Sequence, residues 1–295
     1  SLKNLPAPIR ATLWLTLAAI GFPLTITCVR QVVPEIPVLE AVMFRSLFGL
    51  VFMLPWLARH GIGQLRTRKT GWLALRGSIA FFVTVFYFMG AIQIPLADLT
   101  AITFTRPIFG TIAAVLFLHE IAHARRWSAI MIGFIGMLII IRPGLVDVSA
   151  GIYLVLAGVA LQTFNTIIVK MLTRTEKPDL IVIYHTIFIL PLAIVPAIVV
   201  WQSPTVEQYF WLFAIGALGV TTQRCMTRAF AAADAIFVLA VSYIRLPLAA
   251  LVGFVIFGEV PQVWVWIGGG VICASSIYIA RREAFLARAV KKATP

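Results

Sequence analysis

Two arginines carry the first chemical signal in this chain of 295 residues. Arg106 stands inside the apolar stretch 97–120 and is followed by Pro107; Arg245 stands inside 236–259 with Pro247 two positions on. Helical positions three and four apart share a face. That spacing puts Thr103, Arg106, Gly110 and Ala114 on one stripe and Ser242, Arg245, Ala249 and Gly253 on another. Each stripe is small and polar around one cation. Both arginines sit about nine residues into their stretches, roughly 13 Å deep at ~1.5 Å per residue. A charge at that depth costs at least ~2.5 kcal/mol, so it must face water, a partner or a ligand. On the functional reading Arg106 and Arg245 bind an anionic group such as a carboxylate, which a guanidinium fork fits. On the structural reading they bond carbonyls released by the prolines, which lack the N–H of the helical ladder. Pro107 and Pro247 are the expected hinges.

Other side chains join this candidate lining: Phe86, Tyr87, Phe104, Gln162, Asn165, Gln223 and Tyr243, with Thr103 and Ser242 from the stripes. Amides in hydrocarbon need partners, which a solute or a neighbouring helix can supply. The aromatics serve equally as core or lipid-facing residues. Catalytic chemistry finds no foothold, because no nucleophile elbow, phosphate loop or pair of deep carboxylates is visible. The four histidines are dispersed, and the three cysteines lie in apolar segments without metal-type spacing. No cofactor, metal or enzymatic activity is expected.

The elements that position these residues follow from composition. The chain is 61% hydrophobic and 12% charged, far from a soluble domain. With ~20 apolar residues needed per crossing, ten spans are expected, at 11–29, 37–58, 71–91, 97–118, 127–142, 150–170, 180–200, 208–229, 236–257 and 263–280. Lys and Arg crowd into alternate loops, with only Arg30 and Arg142 on the other side, so both termini are expected to be cytoplasmic. Topology therefore accounts for the net charge of +13, and nucleic acid is not expected as a partner. Asp98 and Asp234 are expected to cap their helices, Glu120 and Glu259 to cap spans 5 and 10, and Arg76, Arg224 and Arg228 to snorkel or to line a cytoplasmic mouth. His185 stays available for proton transfer. The run Gly268-Gly269-Gly270 predicts close helix packing, within the chain or between protomers.

An offset of 139 residues pairs Trp72 with Trp211, Arg106 with Arg245, Glu120 with Glu259 and Trp127 with Trp266. Five spans per repeat is an odd number, so the second repeat is inverted in the membrane, and such repeats place a site at their interface. The expected division is 1–145 and 146–295: an all-α integral membrane protein of ten transmembrane helices in two inverted five-helix repeats.

The segments AVMFRSLFGLVFMLPWL with Arg45, PLADLTAITFTRPIFGTIAAVLFLHE and RLPLAALVGFVIFGE resemble those of the drug/metabolite transporter superfamily, in its ten-helix EamA-type branch. Pro107 and Glu120 match the family's pattern, whereas His119 replaces its usual Gly. The resemblance implies a carrier of small organic metabolites in a bacterial-type inner membrane, working by alternating access, with a cavity lined by spans 1, 3, 4, 6, 8 and 9. Export of amino acids, including aromatic ones, is the favoured expectation. The alternatives are uptake of a nucleotide-like or vitamin-like metabolite and, in another class, a membrane-embedded enzyme. The expected partners are a small solute and the bilayer; a homodimer stays open.

Overall fold

Backbone N–H and C=O groups in hydrocarbon must bond within the chain, so long apolar runs become helices. The computed structural model describes residues 7–106, 108–110, 124–142, 149–232, 238, 244–275 and 277–278. Among them lie α1 (Ala7–Val32), α2 (Val38–His60), α3 (Thr70–Ala91), α4 (Leu96–Thr103), α5 (Ala124–Ile141), α6 (Ala150–Leu172), α7 (Pro178–Val199), α8 (Val206–Ala232), α9 (Arg245–Phe257) and α10 (Val263–Ser275), with no strand among the described residues. Five of them, α1, α2, α3, α6 and α7, are long and apolar enough to cross a membrane. Large apolar side chains such as Val199, Phe210 and Leu251 cover the outer surface, where lipid replaces water as the solvent.

Helix packing exchanges the two halves of the chain. The most extensive pairs are α1 against α8 and α3 against α6; α2 packs on α7 and α8, α3 on α7, and α4 on α9. Swapping each helix for the one five positions along turns α1–α8 into α6–α3 and α2–α8 into α7–α3. The same helix pairs thus recur when the two halves are exchanged. In the outer layer α5 meets α10 closely: a Cβ on Gly268 would lie 2.5 Å from the Gly136 carbonyl oxygen. The glycine run thus serves packing within the chain at this position.

The fourth span is not the continuous helix that 97–118 predicts. α4 stops at Thr103, Phe104 and Thr105 form a turn, and helix resumes at Arg106. The amides of Phe104 and Thr105 bond three residues back, to Ala101 O and Ile102 O. Two threonine hydroxyls take the carbonyls loosened by the break, Thr103 donating to Thr100 O and Thr105 to Ile102 O, both at 2.7 Å. In the second half α9 begins at Arg245, so Pro247 lies in its first turn, where a missing N–H breaks no ladder bond. Pro247 starts a helix here instead of kinking one. Pro107, Glu120, Asp234, Ser242 and Tyr243 lie outside the described residues.

Candidate functional site

α1, α2, α3, α6, α7 and α8, with Arg106 and Arg245 from the broken spans, line a cavity of about 120 Å³. Of the residues read from the sequence as lining, Tyr87, Arg106, Gln162, Gln223 and Arg245 face it. The break in α4 places Arg106 there, since it starts the helix after the turn; the start of α9 does the same for Arg245.

Among the described residues, neither arginine uses its guanidinium on a backbone carbonyl. The Nε of each is buried and lacks a hydrogen-bond partner among the described residues. Arg245, 6% exposed, lies over the Phe22 ring, its Cζ 4.8 Å from the centroid. Leaving two guanidinium N–H groups unpartnered beside a cavity is expensive unless a ligand meets them.

The remaining lining candidates separate from the cavity for clear reasons. Thr103 is 2% exposed with its hydroxyl turned back on its own helix. Phe104 packs into a cluster with Met137, Ile140 and Leu246. Phe86 is half-buried and not among the cavity residues. Asn165 bonds Gln162 Oε1 at 3.4 Å and faces a smaller recess that shares Gln162, Gln223 and Met226 with the main cavity. This recess extends the polar path from the cavity toward the ends of α6 and α8.

Sequence reasoning placed Arg45 and His185 in apolar spans but did not bring them to the site. Both line the cavity. Gly219 on α8 makes room for Arg45: a Cβ there would stand 2.9 Å from its Nε. His185, 2% exposed, meets Gln223 with its Nε2 3.3 Å from the amide nitrogen, and its Nδ1 is unpartnered. Among the described residues, Thr222 Oγ1 and the Tyr87 hydroxyl are also buried without partners. Among the described lining residues no carboxylate is present. The site is a cationic, aromatic and amide-bearing chamber.

Carboxylates lie at the two ends of the bundle instead. At one end Glu259 does not cap span 10; its Oε2 accepts from the Leu96 amide at 2.9 Å, capping α4. Its Oε1 accepts from Arg30 Nη1 at 2.6 Å. Arg30 also donates to Ala91 O at 2.6 Å and to Ile94 O, and stacks on Phe257. Asp98 stays in the first turn of α4, where it complements the helix dipole without capping it. At the other end Asp179 accepts from Arg224 Nε at 2.8 Å and Arg228 Nη2 at 2.9 Å, and Arg228 lies over Trp14. Those two arginines are paired, not snorkelling. Arg76 is 1% exposed and donates to Ile181 O at 2.9 Å, so it too is a buried structural residue.

Comparison with known proteins fits this arrangement. Residues 9–142 match the model of the EamA-like transporter family. Across almost the whole chain, the sequence is 31% identical over 283 residues to a riboflavin transporter of Vibrio cholerae, covering 94% of each chain. The chain belongs to the EamA-like transporters of the drug/metabolite transporter superfamily. This EamA-like protein is also 27% identical to an S-adenosylmethionine uptake transporter of Rickettsia bellii, over 83% of this chain and 84% of that one. In fold it is similar to a protein of known crystal structure, with a TM-score of 0.64 at 16% identity, covering 92% of this chain and 98% of that one. It is therefore a multi-pass membrane transporter of small organic metabolites. The names of these relatives lend amino acid export no support.

Proposed function

We propose that this protein is an uptake carrier for a vitamin-like metabolite of the flavin type. The observation that carries the reading is the similarity to a riboflavin transporter over 94% of both chains, which extends through all the helices that build the cavity. The cavity's chemistry supports it. A flavin ring is flat and apolar on its faces, with carbonyl and ring-nitrogen acceptors along one edge. Phe22, Tyr87 and Phe88 supply aromatic surface, and Arg45, Arg106, Arg245, Gln162 and Gln223 supply donors. Aromatic surface with a few placed polar groups is the usual recipe for a heterocycle site.

Alternating access at the interface of two inverted repeats, 1–145 and 146–295, is the mechanism we infer. Support comes from the exchange of helix pairs between halves and from two broken spans that each deliver an arginine to the centre. The ten spans would set both termini on the cytoplasmic side of a bacterial-type inner membrane, in line with the Lys and Arg bias. Arg30 with Glu259 would then close the outer end, and Asp179 with Arg224 and Arg228 would hold the cytoplasmic end. Counterflow of radiolabelled riboflavin in proteoliposomes tests the function. Saturable exchange above protein-free vesicles is expected. Exchange of an aromatic amino acid with no flavin exchange would return the reading to amino acid export.

A further inference from the structure

Three arginines, Arg45, Arg106 and Arg245, converge on the cavity from α2 and the two broken spans, and no carboxylate among the described lining residues offsets them. The described carboxylates that bind cations are engaged elsewhere, Glu259 with Arg30 and Asp179 with Arg224 and Arg228. Glu40 accepts from the Gln202 amide and Glu176 from the Thr67 hydroxyl. None of these four lines the cavity, though Glu40 keeps its Oε1 without a partner among the described residues. The arginine lining is also built to stay. Gly219 leaves the space that Arg45 occupies, and Arg245 is more than nine-tenths buried with its Nε unpartnered. A neutral heterocycle could satisfy some of these N–H groups but would leave the positive charge without a counter-charge among the described lining residues. An anion answers both.

We propose that the Arg45–Arg106–Arg245 cluster makes the carrier select solutes bearing an anionic group, a carboxylate or a phosphate, over neutral and cationic ones. The inference rests on the reading of this cavity as the transport site. Arg45 is the specificity-determining member, because it approaches from an intact helix and the two broken spans can move without it. The selected solute class is an anionic aromatic heterocycle.

The test is proteoliposome counterflow with three flavins that share one ring: riboflavin with its neutral ribityl chain, a flavin with a carboxylate side chain, and flavin 5′-phosphate. Wild type is expected to favour at least one of the two anions over riboflavin by roughly tenfold in KM, as a charge-assisted bond requires. Which anion leads separates the carboxylate source from the phosphate source. Arg45→Gln is expected to shrink the preference below about threefold, and Arg45→Lys to keep part of it. Equal or better exchange of riboflavin than of both anions, or a preference unchanged in Arg45→Gln, would overturn the proposal. If no flavin is exchanged, the flavin function falls, and thermal stabilisation of the purified protein by adenosine monophosphate against adenosine decides the charge question. Stabilisation by the nucleotide alone, lost in Arg45→Gln, upholds anion selection; equal or absent stabilisation by both refutes it.

Discussion

The ends of this molecule and its centre treat the same residue type in opposite ways. At the ends, arginines meet carboxylates: Arg30 with Glu259, and Arg224 and Arg228 with Asp179. At the centre, Arg45, Arg106 and Arg245 meet aromatic rings, amides and a cavity. Desolvating a guanidinium is costly in either place. Where the charge holds helices together, the chain supplies the counter-charge itself. Our proposal assigns the central charges to a solute that arrives and leaves. Arg76 is a third case, structural without a carboxylate, because a backbone carbonyl, Ile181 O, accepts from its guanidinium.

Substitutions at the two regions should therefore separate stability from affinity. The largest effect is expected from Arg245→Gln and Arg106→Gln: loss of a charge-assisted bond worth about 1.5–3 kcal/mol raises KM for the solute roughly 10- to 100-fold. Melting temperature should hold or rise, because a buried unpaired cation is gone. Next comes Glu259→Gln, which unpairs Arg30 and weakens the cap on Leu96. A loss of about 1–3 kcal/mol should appear as a lower melting temperature in detergent, with solute affinity in the closed cavity nearly unchanged. Asp179→Asn acts in the same way at the other end, where Arg224 and Arg228 are partly exposed; about 1 kcal/mol is expected there. Tyr87→Phe should be the mildest. Its hydroxyl has no partner among the described residues, so stability should stay within about 0.5 kcal/mol, while flavin KM rises a few-fold if that hydroxyl meets the solute. A Glu259 variant that lost affinity without losing stability would erase the distinction between ends and centre.

The sequence disclosed this contrast unevenly. Long helices were legible because an apolar run in hydrocarbon has no alternative to a helix: 71–91 was expected against Thr70–Ala91, and 150–170 against Ala150–Leu172. The arginine and proline in two related stretches marked the centre for the same local reason. The break itself was displaced, because the turn falls at Phe104 and Thr105, before the proline. Thr103 looked like lining from its stripe, but a hydroxyl beside a broken ladder bonds the nearest carbonyl first. Partners distant in sequence were not legible at all. Glu259 caps a helix that begins 163 residues earlier, and Arg45 and His185 reach the cavity through packing of four helices that no periodicity encodes. The 31% identity to a riboflavin transporter is likewise what favours the vitamin-like solute of our proposal over amino acids, a choice that two arginines alone could not make.

The central claim is that the unpaired arginines form the transport site. Riboflavin counterflow with the Arg106→Gln/Arg245→Gln double variant tests it most directly, in proteoliposomes matched for folded protein by melting temperature and reconstitution yield. The account predicts robust exchange by wild type and at least a roughly tenfold loss of uptake efficiency by the double variant, with the melting temperature preserved. Exchange with unchanged KM and rate in the double variant would contradict it.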